Sequence, residues 1–73
     1  MNEPPMRILI QHRTHLLYLR GDGQWTPDSD AARCFTNSVA ALDRCLHGGL
    51  GHVQILLKFS DPRYDVALTA PTR

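Results

Sequence analysis

The side chains with the most chemical potential in this chain are two cysteines, Cys34 and Cys45, and four histidines, His12, His15, His47 and His52. Thiolate and imidazole are the preferred ligands of zinc, and a structural metal would add stability to a small core. The spacing does not suit one. Neither cysteine has a second cysteine two to four positions away, and Cys45-Leu46-His47 would set its two ligands almost opposite each other on a helix. His12-Arg13-Thr14-His15 is the better local arrangement, because a turn can converge two imidazoles. A disulfide between Cys34 and Cys45 would have to close about 16 Å if both lay on one helix at about 1.5 Å per residue. Only a break at Thr36 to Ser38 would bring them closer. The expectation is therefore two free thiols, no metal and no cofactor.

Catalysis needs a nucleophile with a base, or two convergent carboxylates. Asp43 and His47 stand four apart, the ordinary geometry of a solvated pair on a helix surface. Gly48-Gly49-Leu50-Gly51 precedes an apolar strand pattern instead of opening a helix, the wrong order for cradling a phosphate. Arg20-Gly21-Asp22 spells an adhesion tripeptide, but three common residues at a strand end recur by chance. No residue is expected to be catalytic, and the chain is not expected to be an enzyme.

Binding to phosphate backbones usually accompanies a strong basic excess. Here eight Lys plus Arg oppose seven Asp plus Glu, a formal charge of +1. The first twenty residues are locally basic, with His12 contributing, and Arg7, Arg13, His15 and Arg20 are the candidate nucleic-acid contacts. Single-strand binding also requires stacking platforms, and only Tyr18 stands near those residues. Nucleic acid is disfavoured on both counts. The most apolar stretch, Val53 to Phe59, is interrupted by Gln54 and Lys58, and no basic-plus-apolar leader precedes a small-residue cleavage site. A cytoplasmic chain with no membrane partner is expected, and that compartment keeps thiols reduced.

The elements that must position these groups follow from periodicity. Residues 6–69 read as a single domain, with residues 1–5 and 70–73 as frayed ends around Pro4-Pro5 and Pro71. Arg7 to Gln11 and Leu16 to Arg20 are β-compatible runs joined by a hairpin-length connection. Gly21-Asp22-Gly23 ends the second run, and a helical turn is expected over Asp30 to Phe35. Phe35, Val39, Leu42 and Leu46, spaced four, three and four apart, make one helical stripe. Capping side chains at Thr36-Asn37-Ser38 start the helix near Ser38, and the glycines after His47 end it, with Leu50 able to make the apolar contact of a Schellman-type cap. His52 to Phe59 alternates as a strand with one face on a core. Tyr64 to Leu68 can fold back as an edge strand after the turn residues Ser60 to Arg63.

The expected fold class is α+β: an antiparallel sheet of three or four strands in the order 2-1-3-4 with one helix on one face. Its core is centred on Ile8, Ile10, Leu17, Leu19, Phe35, Val39, Leu42, Leu46, Val53, Ile55, Leu57 and Phe59. Trp25, Ala32, Phe35, Ala41-Leu42, Leu50, Val53 to Phe59 and Asp61 to Asp65 together resemble a type of small uncharacterised bacterial protein. There a tryptophan-bearing hairpin leads into an "A..F.S..AL" helix and a "V.I.L.F.DP.YD" strand and turn. The resemblance covers about residues 16–68, implies that fold and no activity, and departs at Asn37, where the pattern has serine.

A domain of 73 residues buries only about 60% of its unfolded surface, so a partner subunit would relieve a thin stability margin. Apolar residues occur on both sides of the first two strands, and one helix covers one face. The expected function is therefore a small interaction module, a homodimer or a binder of another protein, associating through the helix-free sheet face or a sheet edge. Its candidate contacts are Leu9, Leu16 and Tyr18, with Trp25 at the rim. Two other arrangements stand beside it. Trp25 and the segment around Tyr64 could seal that face within one chain, or the His12 to Arg20 hairpin could bind nucleic acid.

Overall fold

A six-residue strand, β1 (Arg7–His12), alternates side chains between two faces and sits at the centre of the molecule. It pairs antiparallel along its whole length with β4 (Val53–Lys58), from Arg7 opposite Lys58 to His12 opposite Val53. The computed structural model describes residues 6–48 and 50–69; the expected frayed ends, residues 1–5 and 70–73, lie outside them. Two short strands, β2 (Tyr18–Leu19) and β3 (Trp25–Thr26), extend the sheet on one side, and β5 (Val66–Thr69) extends it on the other. The sheet order is β3-β2-β1-β4-β5, antiparallel throughout. With one helix, α1 (Ser38–His47), the class is α+β, as expected.

The expected order of four strands is present as β2-β1-β4-β5, and β3 is an addition outside β2. Gly21-Asp22-Gly23 does more than end a strand. Arg20 donates its N–H to the Gln24 carbonyl at 2.7 Å, the Asp22 carboxylate accepts from the Gln24 N–H at 2.9 Å, and Gly23 takes φ +87°. The result is a hairpin turn that sends the chain back along β2. The second strand is shorter than expected because Leu16 belongs to the preceding turn, with φ 57° and its N–H on the His12 carbonyl at 2.8 Å.

After β3, a 3-10 turn at Ser29–Ala31 is capped by the Asp28 side chain, which accepts from the Asp30 N–H. The next residues are extended. Arg33 donates to the Leu19 carbonyl and Phe35 to the Ile8 carbonyl, so Phe35 lies against the edge of β1. The helix begins only after Asn37, whose side chain accepts from the Ala40 N–H at 2.8 Å. At its other end a Cβ on Gly48 would stand 2.8 Å from the Arg44 carbonyl oxygen, and Leu50 reaches back to the Cys45 carbonyl at 3.3 Å and packs on the core.

Excluding Phe35 from the helix rotates its buried stripe. Ala41 and Cys45 face the sheet, with Ala40 and Leu42 partly buried beside them. The expected core positions Val39 and Leu46 are exposed, a correction that follows from having counted the stripe from an extended residue. Small inward side chains let the helix lie close over Ile8, Ile10, Val53 and Ile55, and Leu19 and Phe35 complete that core. Leu17 and Phe59, also expected in the core, are half-buried.

The opposite face is not bare. Leu9 is fully buried and stands opposite Leu56, itself buried; beside them Gln54 donates its amide to Gln11 at 2.8 Å. Arg7, on this same face by alternation, donates to the Ser29 carbonyl and meets the Asp30 carboxylate at 3.2 Å. The 3-10 turn is thereby tied across the end of the helix-free face.

Candidate functional site

The four expected interface residues do not converge. Leu9 is buried within the chain and cannot be offered to a partner. Trp25 pairs with Leu19 on the helix side, packs on the core there and meets the His12 ring edge-on at 5.4 Å. Leu16 is 57% exposed at the tip of the β1–β2 turn, and Tyr18 is half-buried across from Gln11 on the other face. The helix-free face is therefore not the apolar patch expected of it: Leu9 and Leu56 are buried, Gln11 and Gln54 satisfy each other, and Tyr18 is half-buried.

The basic candidates are also divided. Arg7 is paired with Asp30 and Arg20 with Asp22, whereas Arg13 and His15 are exposed in the turn between β1 and β2. That turn does bring His12 and His15 together, their ring centroids 4.8 Å apart. The His12 Nδ1 accepts from the N–H groups of Thr14 and His15 at 3.2 and 3.3 Å, which makes the ring a cap for its own turn. A neutral imidazole has one ring lone pair, and here it faces the backbone instead of a metal. His52 enters β4 at φ 56° and its carbonyl accepts from the Arg13 N–H at 2.7 Å, so two residues in left-handed conformation, Leu16 and His52, stand at one end of the sheet. Among the described residues no three His, Cys, Asp or Glu side chains gather as a metal site. Cys34 is exposed and Cys45 buried, both as free thiols; burial pushes the Cys45 thiol up, with a smaller opposing pull from Arg44. The Asp43 and His47 side chains meet at 3.2 Å on the exposed face of α1.

Among the described residues, two neighbouring apolar side chains are left exposed on β5. A helix is about 10 Å across and strands are about 4.8 Å apart, so α1 can cover two strands. It covers β1 and β4. Val66 stands opposite Leu57 and Leu68 opposite Ile55, so both point to the helix side of β5, where both are exposed. The chain runs from the extended segment at Phe35, beside Ile8 of β1, through α1 to β4. Val39 and Leu46 are exposed on α1, as Val66 and Leu68 are on β5. Sequence reasoning assigned Val39 and Leu46 to the core. The signal for the exposed pair was present in the alternation Val66-Ala67-Leu68, but its significance depends on how far the helix reaches.

β5 is held in place by Asp65. Its carboxylate accepts from Lys58 Nζ at 3.0 Å and from the Phe59 N–H at 2.8 Å. Burial, the largest single influence, pushes the Asp65 carboxyl up, but the Phe59 hydrogen bond, the Lys58 hydrogen bond and charge, and the Arg7 charge together hold it below the usual carboxylate range.

No family model, curated protein or solved structure matches this chain. None of the helices among the described residues is long and apolar enough to cross a membrane.

Proposed function

We propose that this protein is a small interaction module that self-associates through the side of its sheet that ends in β5. The observation that carries the reading is the exposure of Val66 and Leu68 on the helix side of that edge strand. β5 holds no charged side chain, no proline and no bulge, the devices by which monomeric proteins protect a sheet edge. Of the two surfaces the sequence suggested, the helix-free face offers little: Leu9 is internal and Gln11 and Gln54 satisfy each other.

Light scattering over a concentration series tests this. The expected result is a mass that climbs above the 8.2 kDa of one chain as concentration rises, and a Leu68→Lys variant that stays at 8.2 kDa. A monomeric mass persisting to about 1 mM would overturn the reading. Binding to oligonucleotides that weakens steeply with salt would favour instead the hairpin reading through Arg13 and His15, because phosphate contacts release counterions.

A further inference from the structure

We infer that the turn between β1 and β2 is a proton-operated latch: His12 closes it as a neutral imidazole, and a proton on His12 opens it while the sheet stays folded. The inference does not depend on the self-association reading. His12 ends β1 and is half-buried, and its Nδ1 accepts from the N–H groups of Thr14 at 3.2 Å and His15 at 3.3 Å. A neutral ring carries one proton, so accepting at Nδ1 fixes that proton on Nε2. A charged ring donates from both nitrogens and accepts at neither. A proton on Nδ1 therefore sets three N–H donors against one another with no acceptor among them, and the ring has to leave the turn. Histidine is the side chain whose ordinary titration falls between about pH 5 and 8, so the change lies within a physiological range.

The surroundings of His12 favour release of the charged ring. On the turn itself its titratable and charged neighbours are Arg13 and His15, the His15 ring lying 4.8 Å away between centroids. From β4 the titratable neighbour is His52, whose carbonyl accepts from the Arg13 N–H. Leu17, whose carbonyl accepts the His12 N–H, and Trp25 of β3, edge-on at 5.4 Å, bring no charge. Among the described residues no carboxylate forms an ion pair with His12. A positive ring thus meets only like or neutral groups. The backbone is also set to give way, because Leu16 is held at φ 57°, in the left-handed region that an L side chain disfavours. Opening stops at the turn, since β1 remains paired with β4 from Arg7 opposite Lys58 to His12 opposite Val53.

The test is an NMR titration of the full chain from about pH 8 to about pH 5.5, following imidazole nitrogens and backbone amides together. At the upper end His12 is expected to carry its proton on Nε2 alone. On acidification the Thr14 and His15 amide resonances should move with the midpoint of the His12 ring, while the amides of Val53 to Lys58 stay in place. His15→Gln should keep that step, because the ring that acts is His12. His12→Asn should abolish it and keep the turn closed, since the asparagine oxygen can accept the same two N–H groups and does not titrate. A neutral His12 protonated on Nδ1, turn amides that ignore the His12 midpoint, or a step that vanishes in His15→Gln would each overturn the inference. Loss of the β4 amide signals in the same step would overturn it too, because the whole chain would then be unfolding. If His12→Asn fails to fold, the tautomer and the midpoints in the wild type and His15→Gln decide.

Discussion

Asp65 is the residue on which the placement of β5 turns, because one carboxylate joins the end of β4 to the start of β5 through Lys58 and the Phe59 N–H. Its pKa lies below the unfolded value, so the unfolded chain binds the proton more readily and the ionised pair stabilises the fold. That contribution is full above the unfolded value of about 4 and is lost as pH falls through the lower folded value. Asp65→Asn should cost about 1–3 kcal/mol at neutral pH, and its deficit against the wild type should shrink in acid. Denaturant melts at pH 7 and pH 3 check this; an equal deficit at both would show that the ionised form is not what holds β5. The two thiols make a second contrast. A thiolate is the reactive form, and Cys45 is buried with its pKa raised, whereas Cys34 is exposed. One thiol per chain should react with a disulfide reagent under native conditions and the second only after unfolding. Equal reactivity of both in the folded protein would mean that α1 does not cover Cys45.

At the scale of elements, the helix and the sheet report their packing through different positions. Leu9→Ala should cost about 2–5 kcal/mol, since Leu9 is fully buried in the centre of β1. Leu42→Ala should cost less than Leu9→Ala, because Leu42 flanks the core without being enclosed by it, and Val39→Ala should fall within about 0.5 kcal/mol in the monomer. Thermal unfolding of the three variants in dilute solution decides between this helix orientation and the Phe35-Val39-Leu42-Leu46 stripe, under which Val39→Ala would be as costly as Leu42→Ala. The ends of α1 were legible in the sequence. Asn37 offers a capping oxygen and the glycines after His47 remove the next side chains, both local chemistry. The rotation of the helix about its axis was not, because alanine and cysteine at positions 41 and 45 give a weak apolar signal beside valine and leucine on the other side.

At the scale of the whole molecule, a single helix over five strands covers β1 and β4 and, among the described residues, leaves Val66 and Leu68 of β5 exposed. On the β2 side Trp25 packs on the core and Phe35 lies along β1; on the β5 side no comparable side chain stands among the described residues. Association there would bind only the folded state, so the melting temperature should rise with protein concentration. Calorimetry over a hundredfold concentration range checks it, and a midpoint that does not move would argue for a protein that is stable as a single chain.

What the sequence by itself determined is what short-range chemistry determines. Alternation at Val53 to Lys58 made a strand, caps bounded α1, and two hydrophobic faces on β1 required cover on both sides. Those follow from periodicity and backbone preference within a few residues. The tertiary structure alone decided which apolar residues became interior. Leu9 is internal because Leu56 stands opposite it while Arg7 ties the Ser29 turn across that face, a partner twenty-two residues away. Trp25 joined the core because a two-residue strand, too short to carry any periodicity, registered it against Leu19. Val39 and Leu46 were left outside because Phe35 bonded to β1 instead of beginning the helix. In each case the deciding contact joins distant segments, and a side chain's type sets only how strongly it prefers burial, not which burial site the folded chain provides.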